Sequence, residues 1–160
     1  MTNVASDAGV VRFLAAASSL GAGDLDVRVM DDSTHTAAEA AAAVGAPVEA
    51  IVKSLVLMAD ESPLLALVSG PNRVDVEVLS AELGMPVRMA KAREAKDASG
   101  YSIGGVPPFG HVVPLPTVLD ASLLALEVVW AAAGSARAVF PISPGRLVEV
   151  TGARAVRVSA

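Results

Sequence analysis

The sequence predicts an α+β domain, on three observations. Short aliphatic, strand-like runs outnumber the helical patterns. Several of these runs follow one another with only a turn between, which a strictly alternating parallel sheet does not allow. The helical patterns that do occur carry capping signals at their ends. At 160 residues, the chain suits one domain spanning 1–160, large enough to bury a core and too short for two ordinary ones.

Residues 7–20 set Val10, Val11, Phe13, Leu14 and Ala17 at near-helical spacing and stop at Gly21, predicting a first amphipathic helix. Val27 to Met30 reads as a short strand. Thr36-Ala37-Ala38-Glu39 matches a capping box, whose hydroxyl and carboxylate satisfy free N–H groups at a helix start, and this Ala-rich helix ends near Gly45 with Pro47 beyond. Ile51 to Met58 and Leu64 to Ser69 are apolar runs joined by Asp60-Glu61-Ser62-Pro63, a hairpin pattern. Asp75 caps a helix reaching Leu83. Strands are expected near His111 to Leu115 and around Thr117 to Leu119. Val128 to Ala132 and Ala138 to Ile142 form a second hairpin turned at Gly134-Ser135. A short helix over Ser143 to Val150 precedes a last strand, Ala155 to Val158. No internal repeat, heptad pattern or low-complexity linker interrupts this order.

Hydrophobic residues make up 53% of the chain and aromatics only 3%, so the core must be built from Ala, Val and Leu. The mean hydropathy is +0.56, yet Lys53, Glu127, Gly and Pro interrupt every apolar stretch before about eighteen residues, and no membrane span is expected. No secretory signal is visible at the N-terminus, which favours the cytosol. The absence of cysteine excludes disulfides and thiolate metal sites. A net charge of −5 argues against broad, non-specific binding to a phosphate backbone. A local basic patch is still available: Arg88, Lys91, Arg93 and Lys96 fall close together, either as a nucleic-acid contact or as a solvated helix face with Glu94 and Asp97 interleaved.

The segment Gly100 to His111, GYSIGGVPPFGH, is the most informative in the chain. Its glycines let backbone approach a ligand closely, and Pro107 and Pro108 fix φ and remove two donors, so the loop is stiff and its peptide groups are aimed. Lys53 is the only charge in an apolar strand, on the face it shares with Ile51, Leu55 and Leu57. It is either an edge-strand gatekeeper or a functional lysine with a shifted pKa. Metal ligation is poorly supported, because His35 and His111 are the only histidines and no HExxH pattern is present. A Ser-His-Asp triad from Ser54 or Ser69, His111 and Asp120 lacks a nucleophile elbow.

With these residues located, the chain resembles the YbaK/ProX (EbsC-like) family of freestanding aminoacyl-tRNA deacylases, related to the editing domain of bacterial-type prolyl-tRNA synthetases. The likeness rests on V-K-S-L-V in the strand, S-G-P-N-R-V-D leading into a helix, A-K-A-R ahead of G-Y-S-I-G-G-V-P-P-F-G, and L-P-T-V-L-D after it. It implies a curved, mixed, barrel-like β-sheet flanked by helices, and hydrolysis of the ester joining a wrong amino acid to the 3′ end of tRNA. The family's strand lysine and GxxxP loop carry over to Lys53 and to Gly104-Gly105-Val106-Pro107-Pro108. The resemblance makes Lys53, Gly104, Gly105 and Pro108 the expected catalytic set, with water as nucleophile and no metal or organic cofactor. Met30, His35, Tyr101, Val106, Pro107, Asp120 and Val139 are the expected substrate contacts, and Arg88, Lys91, Arg93 and Lys96 the expected tRNA contacts. Asp120 has a second reading, as the cap of the turn that follows its strand.

Several relatives carry Asp or His on the strand after the Gly-Ser turn, where this chain has apolar Val139. That leaves no charged reader for a polar side chain and favours a small aminoacyl group such as alanyl. The expected partners are the aminoacyl-tRNA acceptor end and an aminoacyl-tRNA synthetase, with the protein a monomer or weak homodimer and no membrane involved. A non-catalytic tRNA- or synthetase-associated module of the same fold, and a hydrolase of an unrelated small ester, are the competing readings.

Overall fold

The computed structural model describes residues 7–30 and 36–159. Helix α1, Ala8–Ser19, starts where the Asp7 carboxylate accepts from the Val10 N–H at 3.1 Å, and it buries Val10, Phe13 and Ala17. Strand β1, Arg28–Val29, is half the expected length. Helix α2, Ala37–Val44, opens on the predicted capping box: the Glu39 N–H donates to Thr36 Oγ1 at 3.0 Å and the Thr36 N–H to Glu39 Oε1 at 3.1 Å.

Strands β2, Val52–Ala59, and β3, Ser62–Ser69, form the expected hairpin, in register from Val52↔Ser69 to Ala59↔Ser62. Only Asp60 and Glu61 separate them, both at positive φ (49° and 63°), the backbone a two-residue hairpin turn needs to match strand twist. Helix α3, Val76–Leu83, is capped by Asp75. Strand β4, Val87–Met89, and helix α4, Ala92–Ser99, occupy the basic stretch. After the glycine loop come β5, Thr117–Asp120, a 3₁₀ turn over Ala121–Ala125, β6, Val129–Ala132, β7, Ala138–Ile142, helix α5, Pro144–Thr151, and β8, Arg154–Val156.

The strands make two sheets, ordered β4-β2-β3-β5-β8 and β1-β7-β6. The larger is mixed: β2 runs antiparallel to β3 and β4, while β3, β5 and β8 are parallel. One bridge, Ile51↔Trp130, joins the two. Strand pairing among the described residues does not close a barrel, so the barrel-like expectation reduces to a mixed α/β fold with sheets flanked by helices.

Strand β3 explains why Leu64 to Ser69 is an uninterrupted apolar run. It is covered on both faces: Leu65 and Leu67 pack into one core with α1, β6, β7 and α5, while Leu64, Ala66 and Val68 pack into a second core with Leu79 of α3, Val87 and Val156. The chain has three phenylalanines, and all meet in the first core. Phe13 lies 5.3 Å from Phe109 and 5.2 Å from Phe140, with Phe109 to Phe140 at 5.9 Å between centroids.

Two expectations are corrected. His111 to Leu115 is an irregular loop, because Pro114 and Pro116 lack the N–H groups a strand would use, and Val112 and Val113 are exposed with no neighbouring strand. Strand β4, only three residues long, interrupts the basic stretch; the buried Val87 between Pro86 and Arg88 is its whole apolar signature.

The turn between β6 and β7 crosses the start of α1 backbone to backbone. A Cβ on Gly134 would lie 2.3 Å from the Gly9 carbonyl oxygen, and Gly134 has φ +101°. Gly134→Ala is expected to cost at least about 1–3 kcal/mol, the scale of a strained left-handed residue with added overlap. Gly145→Ala, in α5 with open space at its Cβ, should leave stability unchanged or raise it by about 0.4–1 kcal/mol. Urea denaturation followed by circular dichroism checks both; equal midpoints for the two variants would refute the close-packing account.

Candidate active site

Strand β2 pairs with β3 along its whole length on one edge. On the other edge β4 pairs only with Leu57 to Ala59, and β6 pairs only through one bridge to Ile51, the residue before β2. Between those two partners no described strand covers Lys53, Ser54 and Leu55. A cleft of about 580 Å³ opens in that gap, walled by β2, by Trp130 to Ala132 and Val139 of the small sheet, by Met89 and Ala90, and by Ile103, Gly104 and Val106 of the glycine loop.

Among the described residues, Lys53 and Arg73 are the two charged side chains of the lining. Lys53 is half-buried, and its Nζ donates to the Asn72 carbonyl. Asn72 is fixed in turn, its Nδ2 donating to Asp120 Oδ2 at 2.8 Å. Asp120 is buried and fully engaged: it accepts from the Ser69 N–H at 3.2 Å and from the Ser122 N–H and Oγ at 3.0 and 2.8 Å. Burial depresses the Lys53 pKa below the ordinary lysine value, the Arg73 charge pushes the same way, and the Asp120 charge opposes both. Burial alone would raise the Asp120 carboxyl; the hydrogen bonds from Asn72, Ser122 and Ser69 outweigh it and hold it below its usual value. The result is a cationic recess whose lysine is held by a buried carboxylate acting through Asn72.

The facing wall is built by a tight turn. The Gly105 N–H donates to the Ser102 carbonyl at 3.0 Å, and Gly104, third residue of that turn, has φ +89°, a conformation glycine alone adopts cheaply. A Cβ on Gly105 would lie within 2.7–2.9 Å of the Ser135 backbone, so close approach fixes glycine there too. Beyond the turn, Val106, Pro107, Pro108 and Phe109 are all buried. The Tyr101 hydroxyl donates to the Gly110 carbonyl at 3.0 Å and ties the two ends of the loop together. A cleft with one anchored cation, Lys53, and a second, exposed one, Arg73, against a rigid, glycine-built wall suits an anionic ligand or a reaction that develops negative charge.

A family model for the aminoacyl-tRNA editing domain matches residues 31–150. The chain belongs to this aminoacyl-tRNA editing domain family. It is 30% identical over 125 residues to YwhH of Bacillus subtilis (strain 168), covering 78% of this chain and 80% of that protein. It is also 33% identical over 84 residues to a proline–tRNA ligase of Thermosipho africanus, a match spanning 52% of this chain and 15% of the ligase. A solved structure described as a candidate trans-editing enzyme for prolyl-tRNA synthetase superposes with a TM-score of 0.91 at 43% identity, covering 96% of this chain and 98% of that one. A role in tRNA editing follows at the level of the family, and no described helix is long and apolar enough to cross a membrane.

In this editing domain Lys53, Gly104, Val106 and Val139 meet at the cleft. Gly105 lies behind the turn, its N–H spent on Ser102, and Pro107 and Pro108 are packed beneath it. Tyr101 and Asp120 hold the walls and do not line the cleft. Met30 is outside the lining as well, its carbonyl accepting from Arg137 Nε at 3.1 Å. His35 lies outside the described residues. The triad on paper is not assembled: the Ser69 hydroxyl donates to the Glu49 carbonyl at 2.7 Å, and His111 Nε2 donates to the Pro107 carbonyl at 2.7 Å. Arg88 is pinned between two carboxylates, 2.9 Å from Glu61 and 2.8 Å from Glu94, and holds the Glu94 carboxyl down at about 2. Its charge is spent on the protein. Lys91, Arg93 and Lys96 are exposed along α4.

Sequence reasoning missed Arg73, Asn72 and Trp130, and named Ser54 only as a triad candidate. The S-G-P-N-R-V-D segment was the available signal for the first two, since a Gly-Pro turn ahead of a capped helix delivers Asn72 and Arg73 to one place. The Ser54 hydroxyl, buried in the cleft wall, has no hydrogen-bond partner among the described residues.

His111 supplies a pH test of the loop. Burial depresses its pKa below 6.5, and the hydrogen bond to Pro107 opposes that shift without cancelling it. With the folded value below the unfolded one, the stabilisation is fully present above about pH 6.5 and is lost as pH falls through that value toward the folded pKa. Chemical denaturation at pH 7.5 and 5.5 should therefore show lower stability at 5.5, and His111→Asn should flatten the difference; an equal slope in the variant would refute the assignment.

Proposed function

We propose that this editing domain is a deacylase acting in trans, which hydrolyses the ester between a small, wrongly attached amino acid and the 3′ terminal ribose of a tRNA. The observation that carries the reading is Lys53, the lone cation of an apolar strand, held in a cleft opposite the glycine turn with Arg73 beside it. Attack on the ester carbonyl develops negative charge on its oxygen. A fixed ammonium and the Gly104 N–H stabilise that charge without reorganising at the moment of reaction. The Asn72 carbonyl, accepting from Lys53, favours the charged lysine, so Lys53 acts as an electrostatic and positioning group and not as a base.

The nucleophile is water, oriented by the neighbouring ribose hydroxyl of the substrate. The C–O ester bond breaks, the ribose oxygen regains a proton, and free amino acid and tRNA are released. The likeness to a candidate trans-editing enzyme for prolyl-tRNA synthetase and to segments of proline–tRNA ligases supports a prolyl tRNA as substrate and that synthetase as partner. The reaction places the protein in the cytoplasm, where charged tRNA is used.

Lys53→Ala is expected to leave the fold intact by circular dichroism and to lower kcat/KM on mischarged tRNA at least about a hundredfold, the scale for losing one preorganised electrostatic partner. Unchanged turnover would remove Lys53 from the chemistry. A wild-type protein that binds tRNA and hydrolyses nothing would support the binding-module reading instead.

The cleft lining around Lys53 is largely small and apolar, with Ala40, Ala95, Ala131, Ala132, Val106 and Val139. Such a wall excludes large aminoacyl groups sterically but gains only about 1–3 kcal/mol per methylene among small ones. Alanyl esters are therefore expected to be hydrolysed fastest, with seryl, threonyl and cysteinyl esters at overlapping rates. Initial rates across a panel of mischarged tRNAs measure this; preference for a bulky or charged aminoacyl group would show the pocket to be assigned wrongly.

A further inference from the structure

A second cleft, of about 480 Å³, lies on the other side of the glycine turn, lined by Gly9, Arg12, Lys96, Gly100, Ser102 and Ser135 among others. The turn is the partition between the two clefts: Ile103 lines both, Gly104 the first and Gly105 the second. Resting on the deacylase reading above, we infer that this second cleft binds a backbone phosphodiester of the single-stranded acceptor end, upstream of the nucleotide whose ester enters the first cleft.

Its charge is the first reason. Among the described residues, Arg12 and Lys96 are its two charged lining residues, and no carboxylate joins them. The nearby Asp7 carboxylate is turned onto the Val10 N–H. Arg12 is preorganised: its Nη2 donates to the Gly100 carbonyl, and its guanidinium stacks over the Tyr101 ring at 4.8 Å, leaving further N–H groups for a ligand. Lys96 is exposed and makes no ion pair among the described residues, unlike Arg88.

Shape is the second reason. Glycines at 9, 100, 105 and 134 line the floor, and because Gly9 packs on Gly134 and Gly105 on Ser135 backbone to backbone, that floor is rigid main chain. Ile103, 61% exposed on the ridge between the clefts, offers an apolar surface over which a terminal base can pass. A chain with its ester beside Lys53 crosses this ridge to reach Arg12 and Lys96. The four cations that stand out in the sequence thus reduce to one that lines a cavity, Lys96, joined by an arginine from α1.

The test is binding of a deacylated RNA hairpin ending in a single-stranded CCA tail, measured by fluorescence anisotropy across salt concentrations, for wild type, Lys96→Gln, Arg12→Gln/Lys96→Gln, and Arg157→Gln as a control on the α3 side of the molecule. Lys96→Gln should weaken binding and flatten the slope of log K against log salt by about 0.7, the value for one phosphate of a single strand, with a larger change in the double variant and none in the control. Thermal melting verifies that the variants fold. A parallel assay on 3′-aminoacyl adenosine, which has no upstream phosphate, should show Lys96→Gln hydrolysing it at the wild-type rate.

An unchanged salt slope in Lys96→Gln, or an equal change in the control, would overturn the site. Equal loss on aminoacyl adenosine would overturn it as well, by placing Lys96 in the first cleft. Absence of hydrolysis in the wild type would refute the deacylase reading, while the RNA-binding slopes would still decide the phosphate site.

Discussion

The contact among Phe13, Phe109 and Phe140 is the constraint on which the rest of the site depends. In a chain with so few aromatics, these rings are the largest apolar groups in the first core, and each comes from a different part of the sequence: α1, the glycine loop and β7. Phe109 sits at the far end of the Pro-Pro pair, so burying its ring pulls the whole loop down onto the sheet. Tyr101 to Gly110 and His111 to Pro107 then close the loop on itself. What remains above the surface is the Ser102–Gly105 turn. A loop lacking this anchor would present the same glycines with no fixed direction, and preorganised donors are effective only when their position is settled before the substrate arrives.

The opposite wall answers to a different constraint, the desolvation of a lysine. An ammonium drawn into a strand between two apolar cores loses hydration, and the structure offsets this with a chain of polar groups that ends in a buried carboxylate. Asp120 does not reach Lys53 directly; it holds Asn72, and the Asn72 carbonyl holds the ammonium. The indirect link matters. A direct ion pair would neutralise the lysine and leave it less able to stabilise a new negative charge, as Arg88 shows by contrast, clamped between Glu61 and Glu94 at the outer end of the hairpin. Two cations of one sequence thus take opposite roles. One is a structural fastener; the other is oriented by a backbone carbonyl and has no direct carboxylate partner among the described residues.

Much of this was legible in the sequence, and what was not has a physical cause. The β2-β3 hairpin, the Thr36–Glu39 capping box and the Asp75 cap are local devices, set by residues a few positions apart, and they appear where the pattern puts them. Lys53 and the glycine loop stood out for the same reason, as chemical anomalies in their immediate surroundings. Strand β4 did not, since three residues carry almost no periodicity. His111 to Leu115 misled because Val112 and Val113 look like strand, while the deciding fact is that no other strand is available to pair with them. Arg73 and Asn72 meet Lys53 only through the tertiary fold, across some twenty positions, and no local pattern encodes that meeting. Asp120 carried two readings, and the geometry favours the structural one, with its carboxylate bonded to Ser122, Ser69 and Asn72.

The position of the cleft follows from an economy of strand pairing. Edge strands with unpaired backbone are a hazard that proteins usually cover or shorten, and here one edge of β2 is covered only in part, by β4 at one end and by a single bridge to β6 at the other. Val52 to Val56, which lie between those covers, all line the cleft. Lys53 lies on that opening, where an edge-strand lysine would sit, so the gatekeeper position and the role proposed for it coincide. An interrupted edge admits a ligand without a moving lid, and the interruption lies where the two sheets diverge, beneath a loop that the aromatic cluster already holds down. The same geometry limits what the recess can distinguish. Predominantly apolar walls can reject a side chain by its bulk, whereas selection for a particular small polar group would require a paired donor or acceptor, and among the described residues the unpaired buried hydroxyl in the wall is that of Ser54.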